Sequence, residues 1–492
     1  MKIKNIIKEL EKKNLLFKVF NEREATVKGL QNDSRKVKDG FLYFAIKGFS
    51  VDGHDYIESA IKNGAFVVVC EYLPLNMRDN VTYLLVSESR KAMAVLSNLY
   101  YGFPTAEMKI IGVTGTNGKT STTYILEAVL KEKGYKTGII GTIGYKIGDK
   151  TKKLNNTTPD SIELFFILKE MKDKGVEFVI MEVSSHALEL YRVYGIDFDM
   201  AVFTNLTRDH LDFHENMEDY YQAKKKLFSE YLSNSQKSDK KALVNIDDPF
   251  GARLFKEIEH EKYSLSLNSN SADFFIKNYT LRIDKTYMEI SGIYLLDIVT
   301  KLVGEYNLYN ILTAVVVAQL YKIDKDTIKR ALSKLAQIPG RLQQVEGANI
   351  FIDYAHTPDA VKKAVKTLKE LTQGKLITIM GAGGDRDRSK RPFMTLSAFE
   401  NSDFLILTSD NPRTENPSMI LDDLERPLIE KNAGKDYARI EDRAVAIKRG
   451  VEMLEKDDVL LICGKGHEDY QIIGTEKIHF SDYEEVLKHL NK

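Results

Sequence analysis

"KIIGVTGTNGKTSTTYILEAVLKEKGY", from Lys109 to Tyr135, passes from an apolar strand through a glycine-rich loop into a helix. Gly115 and Gly118 let the backbone turn so that amide N–H groups face a phosphate, and Thr116, Asn117 and Ser121 complete the loop. Lys119 supplies positive charge, and the Thr120 hydroxyl is a candidate Mg²⁺ ligand. The strict phosphate-loop pattern asks for glycine where this chain has Val113, so the stretch is a shortened variant. The competing reading is a plain turn with a surface lysine. A strand before it and a helix after it argue against that reading.

The same pattern continues outward from this loop. Apolar strands recur in "EFVIMEV", "DMAVFTNL" and "KALVNID", separated by helical periods, which predicts a mainly parallel, helix-covered sheet. Residues 262–303 alternate polar and apolar with no helix between, as a small antiparallel patch would. "YYGFPTAEM" breaks the pattern upstream, and residues 1–105 mix short strands such as "FLYFAIKG" and "AFVVVC" with helical stretches such as "DYIESAIKNGA". After "IPGR" a second α/β series begins: "ANIFIDYAH", "KLITIMGAGG", "DFLILTSDNP", "ARIED" and "DVLLICGKG", each expected to lead into a helix. The predicted fold class is therefore α/β in three domains, 1–105, 106–337 and 338–492, as befits 492 residues.

Composition narrows the class of function. Lys+Arg and Asp+Glu both number 71, and this balance gives no support to a large nucleic-acid-binding face. Cys70 and Cys463 lie far apart in apolar contexts, so a reduced compartment is expected rather than a disulfide framework. The charged N-terminus lacks a signal-peptide pattern, and no uncharged run approaches the roughly 18–20 residues of a membrane span. The expectation is a cytoplasmic protein.

Polar clusters fall where strands should end, which is where open parallel sheets bind ligands. "FVIMEVSSHALEL" places Glu182, Ser184, Ser185 and His186 at one end; "VFTNLTRDHLDFH" places Asn205, Asp209, His210, Asp212 and His214 at another. Beside a phosphate loop, two such ends suggest divalent metals bridging nucleotide phosphates. The thiols are remote, so zinc is not expected. In "DYYQAKKKLFSEYL" nothing in composition separates Lys224 from its neighbours. "GEYNLYN" puts Asn307 and Asn310 at a helix start, where capping accounts for one of them. "GAGGDRDRSKRP", with Asp385 and Arg386, reads equally as an anion-binding loop and as a solvated charged loop. In "SDNPRTENP" the rigid Asn411-Pro412 pair stops a strand, and by pattern alone Arg413 is a loop charge.

Taken together, "GTNGKT", "EVSSH", "FTNLTRDHLDFH", "IPGR", "DYAHTPD", "GGDRDRSKRP", "DNPR" and "GKGHE" occur in the order seen in the Mur ligases, and "NDSRKV" and "GFSVDGHDY" extend the resemblance to the N-terminal region. The chain resembles most the branch that adds the third amino acid of the peptidoglycan stem peptide. That resemblance implies an N-terminal uridine-binding domain, a central phosphate-loop ATPase domain and a C-terminal Rossmann-like domain. It implies ATP and two Mg²⁺ ions as cofactors, UDP-MurNAc-L-Ala-D-Glu and a diaminopimelate-type amino acid as small-molecule substrates, an acyl-phosphate intermediate, and a monomer.

Residue by residue, the resemblance assigns catalysis to Lys119, Glu182, His210 and Lys224, with Lys224 carbamylated, and metal binding to Thr120, Glu182, His210 and Lys224. Asn307, Arg341, Asp353 and His356 become adenosine-side contacts. The UDP-sugar side maps onto Ser34, Arg35, Gly53, His54, Thr157, Thr158, Ser184 and Arg192. Arg386, Asp410, Asn411, Pro412, Arg413, Gly464 and Glu468 match the amino-acid site. There a guanidinium can take the distal carboxylate of diaminopimelate bidentately while Glu468 accepts the ammonium. Lanthionine presents the same groups. Two rivals stand beside this assignment. Folylpolyglutamate synthetase shares the shortened loop but is not expected to carry "DNPR" or the 100 or so residues ahead of it. A nucleotide-gated binding protein would hydrolyse ATP without either substrate.

Overall fold

A computed structural model of the chain describes residues 1–211, 213–434 and 436–490. Its central sheet has eleven strands. At the middle lies Lys109–Thr114, paired in parallel with Phe178–Glu182 on one side and Met200–Phe203 on the other. The phosphate-loop strand is thus flanked by the two strands that carry the other polar ends, because the chain reverses its winding direction there. Ile110 and Ile111 point to opposite faces and are both fully buried, each in a different apolar cluster. Burial on both faces explains why these strands read as continuous apolar runs.

The antiparallel segment is present as Phe274–Leu281, Thr286–Ser291 and Leu296–Thr300, but it is an extension of the central sheet and not a separate patch. Lys262–Ser266, at the start of the alternating region, pairs in parallel with Lys241–Asn245. On the other flank, Thr137–Gly141 pairs antiparallel with Gly144–Ile147, which pairs with Lys150–Lys152.

The N-terminal sheet has five strands, parallel except for Leu16–Phe20 at one edge. The C-terminal sheet has six, and four of its parallel strands lie side by side in the order Ile350–Asp353, Val459–Cys463, Leu376–Met380, Phe404–Leu407. Their C-terminal ends carry "DYAH", "GKGHE", "GAGG" and "DNPR" in that spatial order, on one edge. One expectation fails here: Val459–Cys463 leads into a hairpin, Tyr470–Ile473 and Glu476–His479, before the helix Asp482–Leu490. The hairpin matters because Arg413 bridges to Ile473 and closes the "DNPR" turn against it.

Candidate active site

The phosphate loop is held from below by "FTNLT". Asn205 accepts from the Asn117 N–H through Oδ1 (2.9 Å) and donates through Nδ2 to the Asn117 carbonyl (3.1 Å), while Thr204 donates to that carbonyl at 2.7 Å. Asn205, read from sequence as a potential metal ligand, spends its side chain on the loop instead. Gly115 and Gly118 both have left-handed backbone, and a Cβ would overlap Thr204 Oγ1 at the first and Asn310 Oδ1 at the second. Lys119 donates to the carbonyls of Gly115 and Thr116, both at 2.9 Å. Burial lowers its pKa.

Lys224 is buried, on the helix Met217–Lys226 that continues into a π-helical turn over Leu227–Leu232. Its Nζ donates to the Gly115 carbonyl at 2.8 Å and lies 4.6 Å from the Tyr220 ring centroid. Burial, helped by the neighbouring Lys119 ammonium, pushes its pKa well below the ordinary lysine value. The fold singles Lys224 out from Lys225 and Lys226, which pair with Glu257 and Glu189.

Glu182 is buried at its strand end and accepts from the Thr120 hydroxyl (2.9 Å), the Thr142 N–H (2.9 Å) and the Thr142 hydroxyl (3.0 Å). Thr142 also meets Thr157 hydroxyl to hydroxyl at 3.2 Å. Sequence reading missed Thr142, although it too follows a parallel strand, Thr137–Gly141, at the ligand-binding edge. Thr158 donates to the Glu182 carbonyl (2.9 Å) and accepts from the Ser184 N–H (3.2 Å), and Arg192 donates to the Thr158 carbonyl (2.9 Å). Thr157, Thr158, Ser184 and Arg192 therefore form one group beside the phosphate loop.

His210 has a left-handed backbone and sits edge-on to His186, ring centroids 5.0 Å apart. Asp209 stays below its usual pKa: burial opposes this, and His210 and His356 outweigh it. Asp212 lies outside the described residues. Among the described residues no group of three or more His, Cys, Asp and Glu side chains could hold a metal ion alone. Mg²⁺ ordinarily takes one or two protein oxygens and completes its shell with phosphate and water. The adjacent Thr120 hydroxyl and Glu182 carboxylate at the loop fit that requirement.

The C-terminal domain reaches the same place. Arg341 Nη2 donates to Thr120 Oγ1 at 3.2 Å, and Asn117 donates to Asp359 at 3.2 Å. Asp353 accepts the Leu342 N–H at 2.6 Å, and burial raises its pKa to about 6 against the pull of Arg341. His356 donates from Nδ1 to the Tyr354 carbonyl at 2.8 Å, and burial lowers its pKa. Asn307 is three residues into the helix Glu305–Leu320 and donates back to the Val303 carbonyl; the N-cap is Gly304, so neither asparagine caps the helix. Asn310 donates to Asn307 at 3.0 Å.

At the amino-acid end, Arg413 has left-handed backbone (φ 52°), and its Nη1 donates to the Gly384 carbonyl at 2.7 Å. A Cβ on Gly383 would lie 2.9 Å from that Nη1, and one on Gly384 would overlap the Pro412 carbonyl. These glycines make room for the "DNPR" turn. Asn411 donates to Glu468 at 2.8 Å, and the Asp410 carboxylate stands beside Gly464. Arg386 is exposed next to them. One cleft of about 2260 Å³ is lined by Lys119, Thr120, Glu182, Thr157, Arg192, Asn310, Arg341, Asp353, His356, Arg386, Arg413 and Glu468 among others.

Of the expected residues, Gly115, Lys224, Asn307 and Pro412 do not line that cleft, and the four of the N-terminal domain stay apart from it. Ser34 is buried in the N-terminal domain, and Arg35 is exposed and paired with Asp33 at 2.9 Å. Gly53 packs against the Ile46 backbone. His54 donates from Nδ1 to Asp52 (2.7 Å) and accepts at Nε2 from the Glu71 N–H (3.0 Å), with Tyr72 stacked on it. Both ring nitrogens are engaged within the domain.

Three family models match the chain: Mur ligase family, catalytic domain, over residues 26–101; Mur ligase middle domain over 113–318; and Mur ligase, glutamate ligase domain, over 340–466. A Clostridium tetani protein named UDP-N-acetylmuramoyl-L-alanyl-D-glutamate--2,6-diaminopimelate ligase is 42% identical, over 100% of this chain and 99% of its own. A solved structure of a protein with the same name is 31% identical at a TM-score of 0.69, covering 96% of this chain and 97% of that one. Folylpolyglutamate synthase of Mycobacterium tuberculosis, solved with ADP and AMPPCP, is 16% identical at a TM-score of 0.62 and covers only 76% of this chain, a likeness of fold alone.

Proposed function

The chain belongs to the Mur ligase family, and from that premise we propose that it is an ATP-dependent ligase. It joins a 2,6-diaminopimelate-type amino acid to the D-glutamate carboxylate of UDP-N-acetylmuramoyl-L-alanyl-D-glutamate. The observation that carries this reading is that the phosphate loop and the Arg413–Glu468 pair open into one cleft. The proposed domains are 1–105 for the UDP-sugar, 106–337 for ATP and 338–492 for the amino acid.

The phosphate-loop amides and Lys119 receive the ATP phosphates, with Lys119 leaving its loop carbonyls to do so. Thr120 and Glu182 would hold one Mg²⁺, and His210 with carbamylated Lys224 a second. When bound, these ions offset the charge of two anions brought together. Thr157, Thr158, Ser184 and Arg192 orient the acceptor carboxylate, and the γ-phosphoryl group passes to it from ATP to give an acyl phosphate and ADP. The amine of the incoming amino acid attacks that carbonyl, and phosphate departs from the tetrahedral intermediate. Arg341, bonded to the Thr120 hydroxyl, lies beside the transferred group; Asn307, Asp353 and His356 flank the nucleoside. Ser34, Arg35, Gly53 and His54 shape the uridine end, His54 through the loop it fixes.

Carbamylation of Lys224 is supported by its environment. Only a neutral amine adds to CO₂, and burial beside Lys119 favours the neutral form. No described helix is long and apolar enough to cross a membrane. We place the enzyme in the cytoplasm as a monomer acting on small molecules, with no nucleic-acid partner.

Purified protein should release phosphate only when the UDP-precursor and amino acid are both present, and a mass of the UDP-tripeptide should appear with meso-diaminopimelate or lanthionine. Losing the Arg413–carboxylate pair costs on the order of 2–5 kcal/mol, so L-lysine should be a far poorer substrate. Equal turnover of lysine, or phosphate release with ATP alone, refutes the reading.

A further inference from the structure

Lys465 is fully buried, and among the described residues its ammonium meets two oxygens, Asn411 Oδ1 and Glu468 Oε2, each at 3.3 Å. The Tyr470 ring centroid lies 5.4 Å from the ammonium. Glu468 is held at both ends. Oε2 also accepts from Asn411 Nδ2 at 2.8 Å, and Oε1 accepts from the Tyr470 hydroxyl at 3.2 Å. Asn411 belongs to the turn that carries Arg413, so one small network ties the carboxylate fork to the ammonium acceptor. The acceptor's negative charge is already shared with a fixed cation before any ligand arrives.

We propose that Lys465 is a specificity-determining residue of the amine-substrate site. With Lys465 against it, Glu468 takes an ammonium well only when a carboxylate on the same carbon reaches Arg413. A bare side-chain ammonium instead meets a half-neutralised acceptor and two cations, Arg413 and Lys465, with no anion of its own to offer them. The site would thus select a net-neutral zwitterionic end group over a net cation by charge balance, in addition to the bidentate contact at Arg413. This assignment rests on the amine substrate proposed above and extends it to a residue that does not touch the substrate.

The test compares kcat/KM for meso-diaminopimelate and L-lysine in wild type, Lys465→Met and Lys465→Gln, with thermal melts on each. Wild type decides the underlying reading first: a preference for lysine there overturns the proposed substrate, whatever the variants do. Given a preference for diaminopimelate, Lys465→Met and Lys465→Gln should lower the diaminopimelate-to-lysine ratio at least tenfold, with KM for ATP and for the UDP-precursor unchanged. Glu468→Gln, near-isosteric and leaving Lys465 in place, should move the ratio the other way, since lysine then faces cations alone. If the Lys465 variants fold poorly, the Glu468→Gln ratio decides. Equal losses for both amino acids, or a ratio that falls in Glu468→Gln, overturn the role assigned to Lys465.

Discussion

Lys224 and Arg413 show how differently single residues acquire a role. Lys224 sits in a run of three lysines, and nothing local distinguishes it. Only its position against the Gly115 carbonyl, beside Lys119 and out of water, lowers its pKa, as the proposed carbamylation requires. Lys224→Ala should abolish ligation, and millimolar short-chain carboxylic acids should restore part of it by supplying the missing carboxylate. No rescue at any concentration, with the variant folded and still binding nucleotide, would sink the carbamate assignment. Arg413 is a loop charge by pattern alone and is marked in the sequence only once "DNPR" is set among the family's motifs. The tertiary structure adds that its backbone is left-handed, a conformation an arginine rarely holds without support. The bridge to Ile473 and the bond to Gly384 supply that support.

Among the elements, the loops at the C-terminal sheet edge act as a set. "GAGG" reads as an anion loop or a solvated loop when taken alone. In the fold its glycines are the floor on which "DNPR" rests, and the hairpin Tyr470–Ile473 and Glu476–His479 is the wall. That hairpin was not legible, because a four-residue strand of mixed polarity carries no period strong enough to oppose an expected helix. Gly384→Val should displace the Pro412 carbonyl and with it Arg413, raising KM for the amino acid tenfold or more while KM for ATP holds. Overpacking of this kind costs about 1–3 kcal/mol, which a melting curve would register. An unchanged amino-acid KM would show that the turn is positioned by the hairpin alone.

Across the whole molecule, the central and C-terminal domains are joined by polar contacts that include three at the cleft. Arg341 reaches Thr120, Asn117 reaches Asp359, and Lys153 pairs with Asp469 at 2.6 Å. The last contact joins the segment between the strand Lys150–Lys152 and Thr157 with the residue after Glu468, so it links the two proposed substrate sites. It is largely exposed and so contributes little, about 0–1 kcal/mol, to stability. We expect its effect on domain placement instead. Lys153→Glu should raise KM for the amino acid several-fold at low salt, and Lys153→Glu with Asp469→Lys should restore it. Failure of the double reversal to recover the single defect would remove any role for the pair.

The sequence by itself determined the three α/β domains, the phosphate loop and the strand ends that carry chemistry. Parallel strands buried on both faces and glycine-bounded loops leave strong, short-range marks, and the order of motifs added the family. It also named the Thr157–Ser184–Arg192 group and the Arg413–Glu468 pair, which the fold brings to one cleft. What only the tertiary structure decided is how those groups are held: Asn205 serving the loop, Thr142 bracing Glu182, His54 committed inside its own domain, and Lys465 buried against Glu468. Apart from Lys465 and Glu468, which are three residues apart, these are contacts between segments distant in sequence. A polar side chain's partner there is set by the order of strands in a sheet, which local pattern does not encode.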